Sequence, residues 1–321
     1  MSSKTVWICA CIFCLMMISQ YPAIGSGDQS AEDPAVTGEQ SSIIRTSSNL
    51  VTVPVSVTDS EGYAIGNLEI QDFLIEEDGR PETVSRIAEA GRSPLRLALL
   101  FDLSGSVHAR FDFEQQAAIR FLEKVWRPDD TVSVVSFSDN PRIRLQTPGS
   151  LSAALMVLLE LKPTEDPTAF FDAVALSAKT LRQSAGPETR RAIIALSDGE
   201  DNRSSHNFPD ALSEVQRADT IFYSINPGGS SIRLNEISLK AQLDLASLAK
   251  ETGGNAFVSD KTGDLDGIFL RIATELRAQY LLSYYSANSS IDGKYRRISV
   301  SIPSRNDLSV RTRRGYYASL R

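Results

Sequence analysis

The sequence predicts an α/β protein: a doubly wound, mostly parallel sheet with helices on both faces, flanked by a small antiparallel β module built from the amino- and carboxyl-terminal segments. Three observations carry this expectation. Between residues 95 and 278, short apolar runs alternate with helical patterns, the arrangement of buried parallel strands covered by helices. On either side the apolar residues alternate with period two, as in half-buried strands. The two flanks also carry opposite charge: residues 49–92 hold nine acidic and three basic residues, and residues 294–321 hold eight basic residues against Asp307. Each flank alone offers too few short strands for a stable core, so the expectation is one shared module with the α/β part inserted.

Composition sets the outer bounds. The chain has 321 residues, 42% hydrophobic and 23% charged, which excludes collagen-like, fully disordered and polytopic membrane chains. A net charge of -7 argues against a nucleic-acid partner. All three cysteines (Cys9, Cys11 and Cys14) fall in the first fourteen residues, so neither a disulfide scaffold nor a cysteine metal site is expected in the body. Residues 1–25 read as an export signal: Lys4, an apolar run from Val6 to Ile18, then Ala23-Ile24-Gly25 with small residues at the cleavage positions. The run is shorter than the ~20 residues of a spanning helix, which favours cleavage over a retained anchor and leaves no transmembrane segment afterwards. The expected location is secreted or periplasmic.

Taken in order, residues 26–48 are rich in Ser, Gly, Asp and Glu and read as a linker. The amino-terminal β flank, 49–92, opens with Val51, Val53, Val55 and Val57 on one face; Pro54 marks this as an edge or bulged strand. Asp59 to Gly62 is a turn, and Phe73-Leu74-Ile75 before Asp78-Gly79 predicts a hairpin. In the α/β segment, 95–278, strands are expected at Leu95–Phe101, Val132–Phe137, Ala192–Leu196, Ile221–Ile225 and Ala256–Val258. Helices are expected at about 112–125, 151–160, 168–183, 208–218, 242–251 and 264–278. The carboxyl-terminal flank, 279–321, returns to strands at Tyr280–Tyr285 and around Ile298, Val300 and Val310.

The chemistry collects where strands end. The first strand runs into Asp102-Leu-Ser104-Gly-Ser106, the third into Asp198-Gly199, and Thr168 opens a helix. In a doubly wound sheet three such loops converge at one edge. Hydroxyls and carboxylates gathered there offer the oxygen ligands that Mg²⁺ takes while retaining waters. Helix capping by the serines would explain neither Thr168 nor Asp198.

This set of residues resembles the metal-ion-dependent adhesion site of von Willebrand factor type A domains over about residues 95–278. The resemblance implies that Ser104, Ser106 and Thr168 hold Mg²⁺ or Mn²⁺ directly or through water, with Asp102 and Asp198 acting through water or hydrogen bonds. Val57 to Gly62, Asp72 to Gly79 and Arg314-Gly-Tyr-Tyr317 are similar to secreted bacterial VWFA-related proteins of the acidobacterial type. One departure stands out: Glu165-Asp166-Pro167 precedes Thr168, where that family often has a glycine pair.

The function expected is therefore non-enzymatic: a binding or adhesion protein presenting a divalent cation to an acidic group on a protein or surface polymer. Alternatives are a metal-dependent hydrolase and a structural subunit of an envelope complex. No G-x-S-x-G elbow surrounds Ser104 or Ser106, no P-loop or H-E-x-x-H occurs, and only His108 and His206 are present as histidines. The stretch Asn226–Ala241 reads as a long loop at the same rim, carrying Arg233 and Lys240 as candidate ligand contacts.

Overall fold

The computed structural model describes residues 50–89, 93–146, 149–183, 189–228, 235–259 and 265–318. The expected signal and linker lie outside these residues, as does Arg233. The amino-terminal flank contains β1 (Leu50–Thr58), β2 (Leu74–Glu77), β3 (Arg80–Glu82) and β4 (Val84–Glu89). The α/β part follows with β5 (Leu95–Asp102), α1 (Phe111–Val125), β6 (Thr131–Phe137), β7 (Arg142–Leu145), α2 (Leu151–Glu160) and α3 (Phe170–Gln183). It continues through β8 (Arg190–Leu196), α4 (Phe208–Arg217), β9 (Thr220–Asn226), α5 (Glu236–Thr252), β10 (Ala256–Val258) and α6 (Leu265–Ala278). The chain then adds β11 (Tyr280–Tyr285), β12 (Tyr295–Ser301), β13 (Ser309–Thr312) and β14 (Gly315–Tyr317).

The central sheet has the order β10-β9-β8-β5-β6-β7 and is parallel except for β7, which runs antiparallel to β6. Strand β5 shows why it must lie in the middle. Leu97, Leu99 and Phe101 enter the core under α1, α2 and α6, whereas Ala98 and Leu100 enter the core under α3, α4 and α5. A strand apolar on both faces is stable only when both faces are covered. From β5 the chain builds outward through β6 and β7, then crosses to the other side of β5 for β8, β9 and β10. The switch in direction thus falls between β5 and β8, where ligands bind in such sheets.

The flanks form two four-stranded antiparallel sheets, β13-β1-β11-β4 and β14-β12-β2-β3, each mixing amino- and carboxyl-terminal strands. Val51, Val53, Val55 and Val57 share one core with Ile75, Leu282, Tyr284, Ile298 and Tyr316, so the sheets face each other across it. The Asp78-Gly79 hairpin takes the expected form, with both residues at positive φ (49° and 77°). The sandwich meets the α/β part through Glu275 of α6, which accepts from Ser56 at 3.0 Å and Tyr223 at 2.7 Å and pairs with Arg311.

Three expectations need correction. Strand β1 is interior, lying between β13 and β11. Pro54 is tolerated because the pairing with β13 begins only at Val55; the Pro54 carbonyl, and with it the missing N–H, faces that side beyond the ladder, where Thr312 Oγ1 bonds the carbonyl at 2.9 Å. The supposed loop up to Ala241 is shorter, because α5 starts at Glu236 with Asn235 capping it by accepting from the Ser238 amide at 2.8 Å. Ile237 and Leu239 face solvent there, which hid the helical period. Strand β7 was not anticipated; its alternation of Arg142, Ile143, Arg144 and Leu145 is largely exposed at the sheet edge.

Candidate metal centre

Each loop reaches the rim for a local reason. Asp102 ends β5 and is fully buried. One of its oxygens accepts the Ser104 amide at 2.9 Å, closing a tight turn, and the other accepts Ser197 Oγ at 2.6 Å. The turn passes into a 3-10 segment, Gly105–Arg110, with Ser104 at its N-cap position, and α1 follows. Ser104 is almost fully buried, and its side chain makes no cap bond to the turn. The Ser106 side chain is not among those described.

Ser197 sits where β8 stops, and its hydroxyl also accepts the Gly199 amide at 3.0 Å. Asp198, half-buried beside it, accepts the Glu200 amide at 3.1 Å. Gly199 has φ 78°, and a Cβ there would come within 2.6 Å of Leu245, so the Asp-Gly turn requires glycine. Thr168 is buried and lies two residues before α3 rather than inside it. Asn202 clamps it: the Asn202 side chain accepts the Thr168 amide at 2.9 Å, and the Asn202 amide donates to the Thr168 carbonyl at 3.0 Å.

The structure therefore gathers the strand ends carrying Asp102, Ser104 and Asp198, with Thr168 on the next loop. Lys240 lies on α5 at the same end, 5.9 Å from the Phe171 ring and 2.6 Å from Asp244. Asp201 accepts the Phe171 amide at the start of α3, and Ser204 Oγ. His206 is taken up by Asp172 at 2.6 Å.

Three contributors escaped the sequence reading. Ser197 and Asn202 are the partners of Asp102 and Thr168 just described. The third is Glu114, on α1, fully buried with neither carboxylate oxygen hydrogen-bonded. Its spacing from Phe111, Ala117, Ala118 and Phe121 places it on the apolar stripe of α1, which is the signal that would have revealed it.

Burial and mutual repulsion govern the electrostatics. Burial pushes the Asp102 carboxyl up to about 6, with the negative charge of Asp198 adding to the effect and hydrogen bonds from Ser104 and Ser197 opposing it. Burial likewise pushes Glu114 up to about 8, with Asp102 and Asp198 adding and Arg110 opposing. Asp102, Asp198 and Glu114 thus oppose one another's ionisation, and burial disfavours the charged forms of Asp102 and Glu114 above all. A bound divalent cation reverses that penalty. Among the described residues no three His, Cys, Asp or Glu side chains gather as a ligand set, so a cation here depends on the hydroxyls of Ser104 and Thr168 with the carboxylates behind. The orphaned Glu114 carboxyl and the hydroxyl-rich rim fit a hard cation that keeps oxygen ligands.

Residues 97–200 match the family described as von Willebrand factor type A domain, and the chain carries such a domain. Among solved structures the chain is similar to the conserved hypothetical protein BatB from Bacteroides thetaiotaomicron, at 16% identity and TM-score 0.44, covering 57% of this chain and 98% of that one. It is also similar to proximal thread matrix protein 1 from the mussel byssus, whose structure has a zinc-occupied MIDAS motif, at 17% identity and TM-score 0.47, covering 62% of this chain and 49% of that one. A further similar structure is an aerotolerance-related membrane protein from Bacteroides fragilis NCTC 9343, at 17% identity and TM-score 0.43, covering 57% and 98%. No curated protein is significantly similar in sequence. Among the described residues no helix is long and apolar enough to cross a membrane.

Proposed function

We propose that this protein is an exported, non-enzymatic binding protein whose type A domain uses a divalent cation, Mg²⁺ or Mn²⁺, to engage an acidic group on a protein or envelope polymer. The observation that carries the reading is the buried pair Asp102 and Glu114 beneath a rim of hydroxyls, an arrangement that burial alone destabilises. Ser104, Ser106 and Thr168 would hold the ion, with Asp102 and Asp198 behind them. When bound, the ion supplies a Lewis-acidic attachment point for a carboxylate.

The chain's own residues do the rest. Asp102 orients Ser104 through its amide and the β8 loop through Ser197. Asn202 fixes Thr168. A polar cleft of about 570 Å³ opens beside Leu103, lined by charges of both signs, Arg142, Arg144 and Lys162 with Asp139, Glu160 and Asp166. Lys240 supplies positive charge near α3, and Arg233 is retained as a ligand contact from the sequence. Binding rather than turnover is favoured because no G-x-S-x-G elbow surrounds Ser104 or Ser106 and no H-E-x-x-H or P-loop motif occurs in the sequence. Export rests on the amino-terminal apolar run.

Titration calorimetry with Mg²⁺ and Mn²⁺ tests the proposal. One saturable site is expected in the wild type, weakened at least about tenfold by Ser104→Ala or Asp198→Ala. Wild-type affinity in both variants would refute the assignment, and metal-dependent hydrolytic turnover would favour the hydrolase.

A further inference from the structure

The loop that departs from the family pattern lies against the metal-binding turn. Gly105 separates Ser104 from Ser106, and a Cβ built on it would stand 3.1 Å from Glu165 Oε2, 3.9 Å from Glu165 Cα and 4.0 Å from the Thr164 carbonyl. This approach is anchored. The Thr164 amide donates to the Leu103 carbonyl at 2.6 Å, and Thr164 Oγ1 donates to the same oxygen at 3.2 Å. Two residues past Asp166, Thr168 is clamped by Asn202. The backbone is therefore pinned on both sides of Glu165, and its carboxylate lies against the residue between the two serines. A side chain at residue 105 would crowd that carboxylate, so glycine leaves it room.

From this geometry we infer that Glu165 is a built-in acidic ligand of the metal centre, occupying the position that an acidic group of a partner must take. The inference rests on the metal-binding reading and adds regulation to it. A rim of neutral hydroxyls leaves a divalent ion short of negative charge. Glu165 is solvent-exposed, so its carboxylate approaches from the side a partner would use. An internal carboxylate there raises affinity for the ion and lowers affinity for an external acid. Partner binding then requires Glu165 to withdraw, which a side chain on an exposed loop does without disturbing the core.

The test uses the full-length protein, Mn²⁺ as probe, and two readouts: affinity by calorimetry, and water-proton relaxation per bound ion, which counts exchangeable waters. Glu165→Gln is expected to bind Mn²⁺ about tenfold more weakly and to show higher relaxation per bound ion, as water replaces the carboxylate. Circular dichroism should match wild type, because the residue is exposed. Unchanged affinity and relaxation in Glu165→Gln, with binding lost in Ser104→Ala, overturns the inference and leaves the metal centre intact. Weaker affinity with unchanged relaxation also overturns it, since Glu165 would then act only through its charge at a distance. Absence of saturable Mn²⁺ binding in the wild type defeats the metal-binding reading itself.

Discussion

Two buried glutamates, one in each half of the molecule, separate structure from function. Glu77, at the end of β2 in the sandwich, is nearly inaccessible and fully satisfied. One oxygen accepts Tyr284 Oη at 2.7 Å and Tyr316 Oη at 3.0 Å; the other accepts Ser286 Oγ at 2.7 Å and faces Arg296 at 3.5 Å. Glu114, on α1 beneath the rim, has neither oxygen bonded. Both are buried carboxyl groups, yet one finds hydrogen-bond partners and a counter-charge in its own chain and the other does not. A buried acid with its partners supplied locks sheets together; one left without them marks a place where the chain relies on something it does not encode.

The sharpest way to break the comparison is to remove the satisfied acid. Glu77→Ala leaves Arg296 buried without its counter-charge and strips two tyrosines of their acceptor. A loss of about 3–5 kcal/mol is expected by denaturant unfolding, carried by the sandwich. A cost under about 1 kcal/mol would mean that the apolar faces alone specify the pairing.

Glu114 should respond to pH instead. Its folded carboxyl, held near 8 against an ordinary 4.5, keeps a proton that the unfolded chain has already lost. The unfolded state therefore binds fewer protons between these values. The stability this contributes is full below the ordinary value and is lost as pH rises through the folded one. The slope is at most about 1.4 kcal/mol per pH unit, the value for one proton, and the shift behind it comes chiefly from burial, with Asp102 and Asp198 adding and Arg110 opposing. Urea unfolding from pH 7 to 9 without divalent ions, above the range in which Asp102 contributes, should show this decline in wild type and a much flatter profile in Glu114→Gln. Saturating Mg²⁺ should flatten the wild-type profile as well. Parallel slopes in the two proteins would place the pH response elsewhere.

The smallest effect is expected at Lys240. Its pair with Asp244 is an exposed i, i+4 contact on α5, so Lys240→Ala should change stability by less than about 0.5 kcal/mol. Mn²⁺ affinity should be unchanged. A weaker metal site in this variant would bring Lys240 inside the centre rather than beside it.

Much of this was legible in the residues. The alternation of apolar runs and helical stripes determined the α/β class, because a strand apolar on both faces has no stable place except between two helix layers. The strand ends at Asp102 and Asp198 were readable for the same reason: an aspartate closing an apolar run must lie at the sheet edge. Opposite charge in the two flanks foretold their pairing, now visible in Glu77 and Arg296. The early start of α5 was hidden, because Ile237 and Leu239 point to solvent and break the period that reveals a helix.

What only the tertiary structure decided is which polar groups meet. Ser197 and Asp102 are 95 residues apart in the chain, and Asn202 and Thr168 are 34 apart; no local pattern pairs them. The same holds for Glu165 above Gly105. Periodicity records which side of an element is apolar, and so it determines layers. Hydrogen bonds and charge contacts depend on ångström-scale distances between loops from different strands, and those distances exist only once the sheet has brought the strand ends together.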